Sequence, residues 1–385
     1  MDNNFSFFLF GVILFAPLFL FRCGFIKITI LIYAYPIWII SGLWLDLPAT
    51  RIISAVGYGY YYKEIGVAFL SSLLSYILFI SSIYSIREKS FQFDSLKLSL
   101  LQKYIIFIFF ILFLIVAYPK AFFLSEQRFG LLGGVNVILI SLLLISLRNS
   151  KLSAVFIFLI YLYMIIRGER VDFVLGLVAL YFFYRKSSNI ALIKLSVMLI
   201  ILLCLGVFSG LKRSGVEFSF NDVINLTVNS ITNFGTAIDV IHVYLSSVWY
   251  FEYIGSDIRP ILNIFFSYIP VSSLRGAGSE FNYVWILREY IFNVGGGIFY
   301  SASMIWLGPI GVVFSGFIYG SIVKYLFLRN GINRIVFVAF FIMQFRIQWY
   351  GLTYFGSALF VMALFYFLWL FLLNGKIISI KRVYR

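Results

Sequence analysis

Long apolar runs alternate with short polar connections from the first residues of the chain to its last dozen. Runs lie near 5–21, 28–44, 65–86, 104–119, 131–147, 152–166, 173–184, 191–210, 298–323, 335–349 and 355–373. At about 1.5 Å of rise per residue, most of them reach across a bilayer core of about 30 Å. Hydrocarbon offers no partner to backbone N–H and C=O groups, so each run is expected to be a helix. The pattern predicts an all-α fold: a polytopic transmembrane helical bundle of about 11 spans, forming a single membrane domain over 1–385. The runs 152–166 and 173–184 are short. They are either full spans extended by neighbours or a helical hairpin that stops within the membrane.

One connection, 211–297, is long and rich in apolar residues, and it is expected to be a large external loop folded against the membrane. Within 228–248 the apolar positions Val228, Ile231, Ile238, Ile241, Leu245 and Val248 fall mostly three or four apart, with Asn229, Thr232, Asp239 and Ser246 between them. This is the pattern of an amphipathic helix. The stretch 261–271 is too short to span, and Pro260 and Pro270 flank or punctuate it, which suits an interfacial or re-entrant segment. A crossing at 234–250 would add a span and spoil the charge asymmetry described next.

Hydrophobic residues make up 62% of the 385 positions and charged residues 12%, against roughly 25% charged in a soluble domain. The net charge of +15 would point to nucleic acid in a soluble protein, but here Lys and Arg sit in the connections. They act as topology signals, and no nucleic-acid partner is expected. One alternate set of connections holds Arg22, Lys27, Arg87, Lys89, Lys97, Lys103, Arg148, Lys151, Arg185, Lys186, Lys194, Lys324, Arg329, Arg334, Lys376, Lys381, Arg382 and Arg385, with only Glu88 and Asp94 as acids. The other set, with twelve basic and thirteen acidic residues, is nearly neutral and belongs outside. Eleven spans then place Met1 outside and Arg385 in the cytoplasm. The run 5–21 lacks a basic leader and a small-residue cleavage site, so it is expected to be the first span. Cys23 and Cys204 have no metal-like spacing and imply neither a disulfide nor a cluster.

No phosphate-binding glycine loop and no paired Cys or His motif is present, and there is one histidine, so no cofactor or metal is expected. Candidate chemistry rests on charges assigned to the outer side. The sharpest cluster is Arg167-Gly168-Glu169-Arg170-Val171-Asp172 between the two short runs. On a helix, Arg167 and Arg170 share one face and Glu169 and Asp172 another. Arginine suits phosphate because its planar fork donates two parallel hydrogen bonds; a solvated hairpin with local ion pairs is the alternative. The long loop carries Arg259, Arg275, Glu280, Arg288 and Glu289 around the turn-like 272–279, where glycines permit close approach to backbone N–H groups or simply make flexible turns. Arg346 lies among aromatic residues near the outer end of a run, as a functional residue or one that snorkels to the headgroups. His242 follows Asp239 by three residues, as a base held by a carboxylate or as a structural histidine. The aromatic clusters at 58–62 and 249–253 fit sugar stacking or an interfacial belt.

Three stretches carry a resemblance: Phe266-Ser267-Tyr268-Ile269-Pro270, then Gly295-Gly296-Gly297-Ile298-Phe299-Tyr300-Ser301, then Trp306-Leu307-Gly308-Pro309-Ile310-Gly311 with Gly316 and Gly320. Together with the layout of spans, a large external loop and the turn 167–172, they resemble the oligosaccharide repeat-unit polymerases of the Wzy type. Members often have a glutamate shortly after the serine that follows the glycines; here Ala302, Ser303, Met304 and Ile305 stand there, so no acidic role is carried over. The resemblance implies a glycosyltransferase of O-antigen and lipopolysaccharide biosynthesis in the bacterial inner membrane, with 211–297 periplasmic. The donor would be a glycan on undecaprenyl diphosphate, and the acceptor the sugar at the free end of a lipid-linked repeat unit. A chain-length regulator is a further candidate partner beside the bilayer itself. In this reading Arg167, Arg170, Arg275, Arg288 and Arg346 bind diphosphate, and Asp172, Glu280 and His242 are the candidate bases. An O-antigen ligase and a lipid-linked oligosaccharide flippase are the alternatives.

The topology makes the first prediction. Reporter fusions at Lys97 and Ser187 are expected to report cytoplasm, and one at Ser256 the outside. A periplasmic signal at Ser187 would overturn the scheme.

Overall fold

The computed structural model describes residues 3–47, 64–91, 171–214, 217–232, 238–266, 280–293, 296–329 and 332–353, with isolated positions at 104, 108, 155, 157–159, 356 and 359. In chain order the helices are α1 (Asn3–Phe15), α2 (Pro17–Leu20), α3 (Gly24–Trp44), α4 (Ile65–Ile83), α5 (Val171–Arg185), α6 (Leu192–Ser214), α7 (Phe220–Thr232), α8 (Ile238–Tyr253), α9 (Arg259–Phe266), α10 (Tyr283–Arg288), α11 (Ser301–Leu328), α12 (Ile332–Ile342) and α13 (Gln344–Tyr350). Among the described residues there is no strand beyond an isolated bridge between Cys23 and Asn189. Four helical stretches there have the length and apolarity to cross a membrane: Asn3–Leu20, Gly24–Trp44, Ile65–Ile86 and Ser301–Leu328. They coincide with four of the expected runs, and α5, α6 and α12–α13 fall on three more. The runs 104–119, 131–147, 152–166 and 355–373 lie outside the described residues, apart from isolated positions.

The bundle is organised around α4 and α11, which lie side by side along most of their length. The reason is the absence of side chains at two positions. A Cβ on Gly316 would collide with the carbonyl of Ser75, and one on Gly320 would lie 2.8 Å from the carbonyl of Phe79. Small residues four apart let two backbones approach this closely. Ser75 Oγ then reaches across to the carbonyl of Val312 at 2.8 Å, and Tyr33 of α3 joins at 2.7 Å from Ser75 Oγ. The Tyr33 ring stacks on Phe79, with centroids 4.4 Å apart. Accordingly α3 is the most enclosed of the four spans, 83% buried against 17% for Asn3–Leu20 at the periphery.

The α11 stretch is not one straight rod. At Gly308 φ is +61° and ψ −148°, a conformation open in practice to glycine alone, and Pro309 follows. Ser303 and Ser315 then meet with hydroxyls 2.8 Å apart, whereas twelve residues of continuous helix would separate them by about 18 Å. The chain therefore doubles back: a short arm, 301–307, packs against the start of a long arm, 309–328. The last carbonyls of the short arm are capped from outside, Ile305 by the Asp257 N–H at 3.0 Å and Trp306 by the Ser256 hydroxyl. The expected single span 298–323 is thus a hairpin, and only its long arm runs the depth of the bundle.

The connections sort by end. Arg22 N–H donates to the Arg87 carbonyl at 3.0 Å, Gly24 N–H to that of Ser188 at 2.6 Å, and buried Lys27 Nζ to that of Ile190 at 3.0 Å. Three connections rich in Lys and Arg thereby meet at one end. At the other, Asn3 Nδ2 donates to the Leu45 carbonyl at 3.0 Å, and Tyr253 OH to Glu64 at 3.3 Å.

The described parts of the stretch 228–248 are helical, to Thr232 in α7 and from Ile238 in α8. The α8 helix is enclosed on nearly all sides by α4, α10 and α11, with Ser246 and Ser247 fully buried. Its hydroxyls bond back to its own helix, Ser246 to the His242 carbonyl at 2.8 Å and Ser247 to that of Tyr244 at 2.6 Å. Polar positions there do not mark a wet face.

The close approach of α4 and α11 is testable. Gly316→Leu is expected to cost about 3 kcal/mol or more, because backbone carbonyls cannot yield as side chains do. Gly66→Ala, with open space around it, is expected to leave the melting temperature of the detergent-purified protein unchanged or raised. Equal melting of Gly316→Leu and wild type would refute the contact.

Candidate functional site

The described parts of the segment 289–300 meet α8, α10 and α13, with Tyr290 beside Tyr250 toward the Glu64 end and Phe299 packed on Tyr33 midway along α3. His242 of α8 is 1% exposed, and its Nε2 lies 3.1 Å from the carbonyl of Phe292. A carbonyl only accepts, so Nε2 carries the proton of that contact. The neighbouring Asn293 is also buried; its Nδ2 donates to the carbonyls of Val284 at 3.3 Å and Ile291 at 3.4 Å. Arg288 then donates from Nε to the Asn293 backbone carbonyl at 3.2 Å and to its Oδ1 at 3.3 Å, while the guanidinium lies 4.4 Å over the Trp285 ring. Two residues singled out from sequence, His242 and Arg288, thus grip adjacent residues of one turn.

The same segment continues into the glycine run. Gly297 has φ +143°, and a Cβ there would lie 2.6 Å from the Tyr283 ring and 2.9 Å from Val243. Glycine is required on both counts. Its N–H donates to the Trp349 carbonyl at 2.8 Å, and Phe299 N–H to that of Gln348 at 3.0 Å. The glycine run is thereby fastened to the end of α13, whose Arg346 is half-buried. Tyr283 is the wedge beneath, touching Gly297 and lying 3.8 Å from a Cβ position at Gly351, where φ is +88°. Asn282 caps α10 by accepting from Val284 N–H at 3.0 Å, and Glu280 stands exposed in the turn just before it.

The remaining candidates divide as follows. Arg167, Arg170 and Arg275 lie outside the described residues, as does the turn-like 272–279. Asp172 sits in the first turn of α5, with its side chain outside the described set; so does the side chain of Asp239 on α8, the expected partner of His242. The described contact of the imidazole is with a backbone carbonyl. Asn293 and Tyr283 were not singled out from sequence. The only signal for either was proximity to glycines and to the Arg288 helix. A second polar knot, Arg259 against Asp257 at 2.7 Å with Tyr250 OH 3.4 Å from the same carboxylate, belongs to the loop that caps the short arm. Among the described residues no group of three or more His, Cys, Asp or Glu is placed to hold a metal ion.

What this arrangement offers chemically is a frame of backbone and neutral polar groups that holds Arg288, with Arg346 half-buried on the adjoining α13. Comparison with known protein families, with curated proteins and with solved structures finds no match to this chain.

Burial pushes the His242 imidazole below its ordinary value of 6.5, only partly offset by the hydrogen bond to Phe292. A depressed folded-state value makes the neutral ring stabilising above 6.5 and removes that contribution as pH falls through the folded value, because the unfolded chain takes up the proton first. The melting temperature is therefore expected to drop between about pH 7 and about pH 5, and less steeply in His242→Gln. Parallel profiles for the two proteins would show that this ring is not the group responsible.

Proposed function

We propose that this protein is an O-antigen polymerase of the Wzy type, a glycosyltransferase that joins lipid-diphosphate-linked oligosaccharide repeat units at the periplasmic face of the bacterial inner membrane. The observation that supports the reading is that two arginine-bearing elements, α10 and α13, are fastened to neighbouring described parts of one segment, α10 to Asn293 through Arg288 and α13 to Gly297 and Phe299 through the Trp349 and Gln348 carbonyls. Diphosphate recognition outside the bilayer calls for cations held by a rigid frame, and the turn 289–300 is such a frame.

In the proposed reaction an acceptor hydroxyl attacks the anomeric carbon of the donor glycan. The new C–O bond forms as the bond from that carbon to the diphosphate oxygen breaks, and the lipid diphosphate leaves with the electron pair. Arg288 and Arg346, joined by Arg167, Arg170 and Arg275, neutralise the charge that develops on it. The hydroxyl proton passes to a carboxylate, for which exposed Glu280 is the first choice and Asp172 the second. His242, enclosed and bonded to the backbone, is assigned to positioning the turn that carries Arg288.

Deletion of the gene is expected to leave single repeat units on the lipid carrier and its surface acceptor. Long polymer stranded on the carrier would instead identify a ligase, and accumulation of unflipped units a flippase. In complementation, Arg288→Ala and Arg346→Ala are expected to cut polymer yield by about tenfold or more, with Arg→Lys variants intermediate because the fork is lost while the charge remains. Full-length glycan from alanine variants at all five arginines, at equal membrane abundance, would remove the diphosphate site.

A further inference from the structure

At the Glu64 end of the bundle, aromatic rings gather into one open surface. Trp249 and Tyr253, one turn apart on α8, stack with centroids 5.7 Å apart at 29°. Tyr290, from the segment after α10, lies 6.3 Å from Trp249 and 5.6 Å from Tyr250. Tyr253 is 56% exposed and Tyr290 46%. Beneath them lies a separate apolar cluster that includes Val243, Val284 and Leu287, against which Trp249 packs. The rings are therefore held from below and open above.

Among the described residues, Arg288 apart, the border of this surface is acidic. Tyr253 OH donates to Glu64 Oε1 at 3.3 Å, Glu252 is exposed beside it, and exposed Glu289 precedes Tyr290. Arg259 is turned to Asp257 at 2.7 Å. An aromatic belt that meets phospholipid headgroups faces phosphate, which carboxylates repel. A neutral, polyhydroxylated ring suits the same border. The C–H face of a pyranose is apolar and lies flat on an aromatic ring, while its hydroxyls donate charge-assisted hydrogen bonds to carboxylates at the rim.

We propose that Trp249, Tyr253 and Tyr290 form a platform that binds a sugar ring of a neutral glycan, with Glu64 and Glu252 accepting from its hydroxyls. Its identification with the growing chain rests on the polymerase reading; the platform itself does not. It is distinct from the arginines, and it would hold a ring remote from the diphosphate.

The test uses the full-length protein in nanodiscs and two probes: size-fractionated polysaccharide released by mild acid from the producing strain, and phosphatidylglycerol vesicles. Tyr253→Ala and Tyr290→Ala are each expected to weaken polysaccharide binding by about tenfold, while Tyr→Phe keeps most of it and vesicle association is unchanged. Both tyrosines are exposed, so their loss leaves the fold intact; Trp249→Ala is read only alongside its melting curve. Equal polysaccharide binding by wild type and both tyrosine variants overturns the platform. So does absence of polysaccharide binding with vesicle association that the same variants reduce, which would mark a lipid belt. If the gene deletion leaves surface glycan unchanged while the variants lose polysaccharide binding, the platform stands and the polymerase reading falls. If deletion abolishes polymer while both variants bind and polymerise as wild type, the platform alone falls.

Discussion

Everything at the Glu64 end of this bundle depends on two backbones being able to touch. Gly316 and Gly320 let the long arm of α11 lie directly on α4, with Ser75 bridging to the Val312 carbonyl. Apolar burial gives no preference for one helix pair over another inside lipid, so close van der Waals contact and buried hydroxyl bonds must supply it. Once the long arm is fixed, the reversal at Gly308 fixes the short arm, and the short arm fixes α8 through the capping loop and Phe251, which presses on Gly308. The segment that holds Arg288 is then the third tier of one stack. Its geometry is inherited from a contact that carries no charge.

Buried polar groups in the upper part of the stack are neutral in kind. Tyr244 and Tyr300 reach Ser72 at 3.1 Å each, and Tyr244 also meets Ser71 at 2.9 Å. Hydroxyl pairs of this sort satisfy one another with little desolvation cost and hold a fixed register, since a one-residue slip would leave each unpartnered in hydrocarbon. At the basic end, Lys27 is drawn inward and bonded to a carbonyl of the 186–191 connection. That links α3 to the α5–α6 turn.

Much of the bundle is legible in the sequence because spans are read from length and apolarity, two properties that tertiary packing does not alter. The runs 5–21, 28–44, 65–86 and 191–210 correspond to helices within a few residues. The meeting of Arg22, Arg87 and Ser188 at one end agrees with the alternation of basic connections. Where periodicity misleads, a local hydrogen bond explains it. Ser246 and Ser247 look like a polar face on α8 but are satisfied by their own helix, so the helix is enclosed. The run 298–323 reads as one span, and only the value of φ at Gly308 shows that the chain turns back. At the site, Arg288 and His242 stand out by residue type. Asn293, which Arg288 grips while His242 holds the preceding Phe292, does not, because an asparagine's role is set by partners that only folding brings near.

The doubling back at Gly308 also bears on how the protein is assembled in its membrane. A seven-residue arm is far too short to be retained as a span, since a crossing helix needs about twenty residues. The arm 301–307 can settle only against a surface already present, and the surface it meets, α4 with the loop that follows α8, is made earlier in synthesis. Docking of the short arm must therefore wait on residues translated long before it. A lesion in the loop that follows α8 would show itself as a failure of this later arm to dock.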